Sequence, residues 1–513
     1  MKSTKVTKSY LYFITLFLGI ISSFSLPPYN FFFLNFITFP ALLYILINHI
    51  SGSLKYFLTG WFFGLGYFIS NIYWITNSLK FDESFKFLIP LALLLIPSFL
   101  AIFYGLVTFF CSFFNLKNKI SSILIFAVSF GIIEFFRSFI LGGFPWNLIV
   151  FSFSNFLPVL QILSYLGTYT LNLLSITFFL LPIIIFFQYK IFTKSLIFLI
   201  SLVLIFINVG YGIYNIKKFK ETNYEILNSV IRVVSPNVPI ERFLNTQDPE
   251  KNIIEMINLS EPNSSEKIIF VYPEGIISTY LNDLKYFKDI FSQNYNENHT
   301  IILGINDYTD GKIFNSLIAI DNNTELLFKY NKNKLVPFGE FIPFENFFKK
   351  IGLKKITRGY QSFSSDDKRE ILNINQIKFI PIICYEIIYS GKINIYKKDF
   401  DILLNISEDG WFGKSIGPKQ HLSHSIFRSI EEGKNVIRST NNGISAYINP
   451  KGQIIEEINE KGYFDVKKIK RVNKTYFSKK GNKIFFYFVI FYINLIIILK
   501  IKEKNEKRFF IHK

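Results

Sequence analysis

The stretch Lys378-Phe-Ile-Pro-Ile-Ile-Cys384-Tyr385-Glu386 decides how the chain is read. Lys378–Ile383 is a short β-rich run that delivers polar residues at its carboxyl end, which is where α/β sheets build their sites. The same pattern occurs twice more. Lys267–Tyr272 runs into Pro273-Glu274-Gly275, and Tyr330-Asn331-Lys332-Asn333-Lys334-Leu335-Val336-Pro337-Phe338-Gly339-Glu340 starts at a strand end and turns through Pro337 and Gly339 into a loop.

Further β-rich runs occur at Ser229–Val234, Thr300–Ile305, Ser316–Ile320, Leu326–Tyr330, Ile402–Ile406 and Ser445–Ile448. Turn chemistry follows two of them, at Asp321-Asn322-Asn323-Thr324 and Asn449-Pro450-Lys451-Gly452. Lys419–Glu432 reads as a helix with Leu422, Ile426, Phe427 and Ile430 on one face. Strands alternating with helices predict one layered α/β domain over residues 216–482. No Gly-rich phosphate loop, CxxC or HExxH pattern interrupts it.

The flanks are different. Apolar runs near residues 10–26, 30–49, 55–76, 87–114, 120–141, 168–188, 195–213 and 484–501 approach the ~20 residues needed to span a bilayer, which predicts eight transmembrane helices. Residues 1–215 then form a membrane domain with seven of them, and 483–513 form the eighth with a basic tail. Lys2, Lys5, Lys8, Lys55, Lys117, Lys119, Lys190, Lys194 and the tail lysines fall on one side, which puts both termini in the cytoplasm and residues 216–482 outside it. Residues 142–167, broken by Pro145 and Pro158, read as re-entrant or interfacial.

Composition agrees. Of 513 residues 50% are hydrophobic and 19% aromatic, which excludes disorder and an ordinary soluble enzyme. The net charge of +19 comes with an excess of Lys, Asn, Ile and Phe that an AT-rich genome explains, so no nucleic-acid partner is inferred. Cys111 and Cys384 make at most one disulfide. Glu134 and Arg137, three residues apart in the fifth apolar run, are expensive in hydrocarbon and predict a structural ion pair. His421 and His424 share a helix face without a third ligand; no metal is expected, and a solvated or capping role is read for both.

A thiol is only a few per cent ionised at neutral pH, so a nucleophilic Cys384 needs a base and a nearby cation, which Glu274 and Lys332 can supply. These three segments resemble the Glu-Lys-Cys motifs of the nitrilase (carbon-nitrogen hydrolase) superfamily. With the membrane flanks, Gly143-Phe144-Pro145-Trp146-Asn147 and Trp411-Phe412-Gly413-Lys414-Ser415-Ile416-Gly417-Pro418, the whole chain resembles the apolipoprotein N-acyltransferase family.

That resemblance implies a nitrilase-like α-β-β-α sandwich on a polytopic helical membrane bundle in the bacterial inner membrane. It implies Cys384 as nucleophile, Glu274 as general base and Lys332 as oxyanion cation. Glu340, Tyr385 and Glu386 support the site, and Trp411, Phe243 and Asn441 match lipid- or substrate-contacting positions. No cofactor is implied. The acyl donor is a phosphatidylethanolamine-like phospholipid, and the acceptor is the amine of a diacylglyceryl-cysteine apolipoprotein. Two alternatives stay open: a membrane-tethered amidase using water as acceptor, and a non-catalytic lipid- or peptide-binding scaffold. The chain departs from the family pattern at Tyr272, where Trp is usual before Pro-Glu, and at Ser407-Glu408-Asp409. A Trp near residues 240–246 is absent, with Phe243 or Leu244 in its place.

Overall fold

The computed structural model describes residues 9–81, 83–240, 248–262, 265–342, 362–395 and 397–511. The chain forms two compact units. One comprises Met1–Tyr73, Ile89–Lys217 and Lys480–Lys513; the other comprises Trp74–Leu88 and Lys218–Lys479. The second unit therefore takes a segment from between the third and fourth apolar runs, besides the long polar stretch.

The first unit is helical because its apolar runs have no polar partner for their backbone except themselves. All eight expected runs carry helix; among the described residues, five helices are long and apolar enough, by length and composition, to cross a membrane: Phe85–Ser112, Ile120–Arg137, Leu163–Phe186, Ile191–Lys220 and Lys483–Asn505. Tyr10–Ser23 has 14 residues, about 21 Å of helix against a hydrocarbon core of about 30 Å. Asn35–Asn48 is equally short and contains Pro40. Ser53–Ile72 has 20 residues but spends three of them on Gly60, Gly64 and Gly66. Those glycines let backbones touch: a Cβ on Gly66 would lie 2.1 Å from the Leu16 carbonyl oxygen, and one on Gly19 2.0 Å from that of Phe63. Small residues at such crossings are how helices associate without a hydrophobic gradient.

The expected Glu134–Arg137 pair is present at 3.3 Å and completely buried. Glu134 also accepts from Tyr104 at 3.0 Å and Asn172 at 2.5 Å, while Arg137 donates to the Phe144 carbonyl. One carboxylate thus ties three helices together, which satisfies the charge inside hydrocarbon. Between residues 142 and 162 there are only short turns, Ile149–Phe153 and Leu157–Leu160, so no helix of spanning length lies there.

The second unit is built on two six-stranded sheets. The first has the order β12-β1-β2-β3-β4-β5, with β1 Glu225–Ser235, β2 Ile268–Val271, β3 His299–Thr309, β4 Lys312–Ile320, β5 Leu326–Asn331 and β12 Gly462–Ile469. The second has the order β11-β10-β9-β8-β7-β6, with β6 Leu372–Ile374, β7 Ile377–Ile383, β8 Ile402–Glu408, β9 Asn435–Asn441, β10 Ser445–Ile448 and β11 Ile454–Ile458. β1, β2 and β3 are parallel, as are β7, β8 and β9; antiparallel strands flank both trios. The sheets face each other, and Ser439 Oγ of β9 donates to the Val234 carbonyl of β1 at 2.9 Å.

Helices cover the outer faces. Pro249–Ser260 starts at Asp248, whose side chain accepts from the Glu250 N–H, and it buries Ile253, Met256 and Ile257 against Phe270 and Ile268. Each such fully buried side chain stabilises by about 1.5–3 kcal/mol. Gly417–Glu432 covers the second sheet. The layering is the expected α-β-β-α sandwich.

Candidate active site

Each candidate group stands just beyond a strand. Glu274 follows β2, and its backbone passes so close to β3 that a Cβ on Gly304 would lie 2.5 Å from the Glu274 Cα. Its Oε1 accepts from Lys332 Nζ at 3.0 Å and from Asn315 Nδ2 at 2.7 Å, and its Oε2 accepts from the Glu408 N–H at 2.9 Å. Lys332 follows β5 and is 1% exposed. Its ammonium also donates to Glu340 Oε1 at 2.9 Å, and Asn315 Nδ2 reaches the same oxygen at 2.9 Å. Glu340 Oε2 accepts from the Val336 N–H at 2.8 Å, which closes the loop back on itself.

One lysine therefore lies between two carboxylates. Burial opposes its charge, but Glu274, Glu340 and Cys384 outweigh burial and hold Lys332 well above the ordinary lysine value, so it is cationic throughout the physiological range.

Cys384 ends β7 with φ 47°, a left-handed conformation that costs a non-glycine residue roughly 1–2 kcal/mol. The turn is held by Glu386. Its Oε2 accepts from the Ile383 N–H at 2.8 Å, while its Oε1 accepts from the Asn333 N–H at 2.8 Å, the Lys334 N–H at 3.2 Å and the Tyr330 hydroxyl at 2.6 Å. Arg369 Nη2 pairs with the same carboxylate at 2.8 Å. Glu386 thus fastens the cysteine turn to the lysine loop. Burial, Glu274 and Asp409 push the Cys384 thiol well above its ordinary value, with Lys332 and Ser407 pulling the other way. The group rests as a thiol beside a carboxylate.

Tyr385 is buried and packs edge-to-face on Tyr389 at 5.5 Å. Trp411 lies edge-on to Phe81 at 5.9 Å, and its neighbour Phe412 to Trp74 at 4.7 Å, so the Trp74–Leu88 segment packs on this turn. Asn441 is completely buried; it donates to Glu408 Oε2 at 2.7 Å and clasps both backbone groups of Val238 at 2.8 Å. Its amide is taken up by these partners. Phe243 lies outside the described residues. The Tyr272 hydroxyl, where Trp is usual, is accommodated by Ser260 at 2.7 Å and Tyr295 at 2.6 Å.

The histidines differ from expectation. His421 and His424 are buried, not solvated. His421 Nδ1 is 3.0 Å from Asp409 Oδ1 and 2.9 Å from Arg438 Nη2, and Arg438 pairs with Asp409 at 2.7 Å. Burial pushes the Asp409 carboxyl up, but Arg438 and His421 outweigh it and hold it down to about 2. Among the described residues no cluster suited to a metal ion is present. Sequence reasoning missed Asn315, Arg369 and this Asp409–Arg438 network. The available signal was a lone polar residue inside or beside an apolar strand, which carries no spacing.

Residues 18–181 match the family described as the apolipoprotein N-acyltransferase N-terminal domain, and residues 244–463, which contain Glu274, Lys332, Glu340, Cys384 and Glu386, match carbon-nitrogen hydrolase. The apolipoprotein N-acyltransferase of Rickettsia prowazekii (strain Madrid E) is 31% identical over 504 residues, covering 95% of this chain and 98% of its own. That of Rhizobium rhizogenes is 30% identical over 473 residues, covering 87% and 88%. A solved carbon-nitrogen hydrolase superfamily protein from Xanthomonas campestris aligns at TM-score 0.34 with 15% identity, covering 48% of this chain and 91% of that one. Similarity above 30% that runs nearly end to end through both matched regions makes the chain a member of the apolipoprotein N-acyltransferase family.

Proposed function

We propose that the protein transfers a fatty acyl group from a phospholipid to the N-terminal amine of a diacylglyceryl-cysteine apolipoprotein, through a thioester on Cys384. The observation that carries this reading is the buried Glu274–Lys332–Glu340 group beside a thiol held in a strained turn. It suits acyl transfer through a cysteine and needs no cofactor.

The thiol keeps its proton until the donor arrives, so the first step is general base catalysis. Glu274 accepts the proton as Cys384 Sγ bonds to the ester carbonyl carbon, and Lys332 stabilises the oxyanion. The ester C–O bond then breaks, and the proton passes from Glu274 to the departing lysophospholipid oxygen. In the second half the acceptor amine attacks the thioester, Glu274 takes a proton from nitrogen, and the C–S bond breaks. The proton returns to the thiol. Glu340 and Asn315 fix the base and the cation, and Glu386 fixes the nucleophile turn. Trp411 belongs to the approach for lipid.

Phospholipid and lipoprotein meet at the outer leaflet of the inner membrane, which fits a catalytic unit outside the cytoplasm with both termini inside. The test supplies purified full-length protein with phosphatidylethanolamine and a synthetic diacylglyceryl-cysteine peptide. The reading expects N-acyl peptide and lysophospholipid in equal amounts. Free fatty acid with no acylated peptide would replace it with hydrolysis.

A further inference from the structure

The catalytic unit is covalently continuous with apolar helices at both ends, Ile191–Lys220 before it and Lys483–Ile511 after it. Cations crowd those junctions. Eight of the eighteen residues from Val466 to Lys483 are Lys or Arg and none is acidic, against 56 Lys and Arg in all 513 residues, so general lysine richness does not account for them. Nor does membrane orientation: these cations lie within about 20 residues of a helix end, on the side read here as extracytoplasmic, where the positive-inside bias disfavours them.

The structure gathers the two junctions into one edge. β12 pairs antiparallel with β1, and Lys470 Nζ donates to the Phe219 and Lys220 carbonyls at 3.1 and 2.8 Å, at the end of the preceding helix. Lys218, Lys220, Lys467, Lys468 and Lys479 are exposed here. Arg471 is taken by Glu225 and Asp401, and Lys474 lies 3.7 Å from Asp399; among the described residues Lys467 and Lys479 have no ion pair. Exposed apolar groups stand among the cations. Ile226, directly across the strand pair from Lys468, is 81% exposed, and Tyr224 and Tyr476 are 49% and 47% exposed. Lys468 Nζ sits 4.5 Å from the Tyr224 ring centre. Tyrosine and lysine at the ends of apolar helices are the composition of a bilayer surface, with the rings at headgroup depth and the ammonium groups at the phosphates.

We propose that this edge of β12 and β1, with Lys467, Lys468 and Lys479 as its principal cations, is a contact surface for the headgroup phosphates of anionic phospholipids. It is separate from the Cys384 site and does not depend on the reading of that site. Each lysine near an anionic lipid surface contributes about fivefold in affinity, and the effect fades beyond a Debye length.

The experiment uses the full chain in neutral detergent micelles with equimolar phosphatidylglycerol and phosphatidylcholine, and reads the lipids retained by native mass spectrometry. Wild type should retain phosphatidylglycerol at least tenfold over phosphatidylcholine. The Lys467→Gln/Lys468→Gln/Lys479→Gln variant should bring the ratio near one, and the matching Arg substitutions should restore it. Lys285→Gln/Lys312→Gln, at exposed lysines elsewhere on the unit, should leave it unchanged. Inorganic phosphate at about 10 mM should not displace the lipid. Equal ratios in wild type and the triple Gln variant, or displacement by phosphate alone, overturn the proposal; unchanged thermal unfolding in the Gln variant separates loss of binding from loss of fold.

Discussion

Replacing Lys332 with Met keeps the length of the side chain and removes the charge that holds two carboxylates together. Glu274 Oε1 and Glu340 Oε1 each lie within 3.0 Å of Nζ, so they are no more than about 6 Å apart. At an effective dielectric of about 20, two unit charges at that distance repel by about 3 kcal/mol. Only Asn315 Nδ2 then remains to both oxygens. The pair then repel each other, and the geometry that holds Glu274 in place is loosened. The oxyanion cation is lost as well, which typically costs 100- to 1000-fold. First-turnover release of lysophospholipid at pH 7 should fall by about 100- to 1000-fold or more. Breaking a buried pair also costs about 3–5 kcal/mol of stability, so the variant is compared below its own unfolding transition. A wild-type rate would refute the role given to Lys332.

Cys111 is buried in the Ile89–Ser112 helix, so Cys111→Ala should transfer acyl groups at a near-normal rate in the peptide assay. Lys334 is exposed, and Lys334→Ala should slow first-turnover release far less than Lys332→Met. Burial raises the Glu432 carboxyl to about 7, with Glu431 adding to it and Ser478 opposing. The folded state therefore binds the proton more tightly than the unfolded one, and stability falls as pH rises from about 4.5 through 7; Glu432→Gln should raise the melting temperature at pH 8, by up to about 3 kcal/mol in stability, and change little at pH 4. A reporter fused near Asn323, in the exposed turn between β4 and β5, should behave as extracytoplasmic, and one after Lys513 as cytoplasmic; the opposite pair would turn the catalytic unit inward and disfavour the lipoprotein acceptor.

Strands with apolar runs were legible from their residues. β1, β2, β3, β4, β5, β7, β8 and β10 fall on the expected segments, because a strand buried in a two-sheet core is apolar over most of its length. β9 was not legible: Arg438-Ser439-Thr440-Asn441 looks like a loop, yet all four are buried, their polar groups taken up by Asp409, Val234, Ser445 and Glu408. The same blindness affected Gly417–Glu432. Leu422, Ile426, Phe427 and Ile430 suggested one buried face, but the opposite face is buried too, with Arg428 beside Glu431 and His421 beside Asp409. Periodicity reports burial only where buried groups are apolar. Membrane segments were located, since apolar composition marks what is buried from water, but composition does not say whether lipid or protein buries it.

At the site, Glu274, Lys332 and Cys384 were visible because each ends an apolar run, and Glu340 and Glu386 because they lie in the same motifs. Asn315 and Arg369 required the fold. Asn315 comes from β4 and reaches both carboxylates, and Arg369, just before the β6–β7 pair, reaches Glu386 beyond the end of β7.

The central claim is that Cys384 carries the acyl group. Intact-protein and peptide mass spectrometry of the full-length chain after incubation with phosphatidylethanolamine, without acceptor, measures it directly. A hydroxylamine-sensitive acyl adduct should appear on Cys384, vanish when diacylglyceryl-cysteine peptide is added, and be absent from Cys384→Ala. An unmodified Cys384 in protein that still acylates the peptide, or full transfer by Cys384→Ala, would contradict the account.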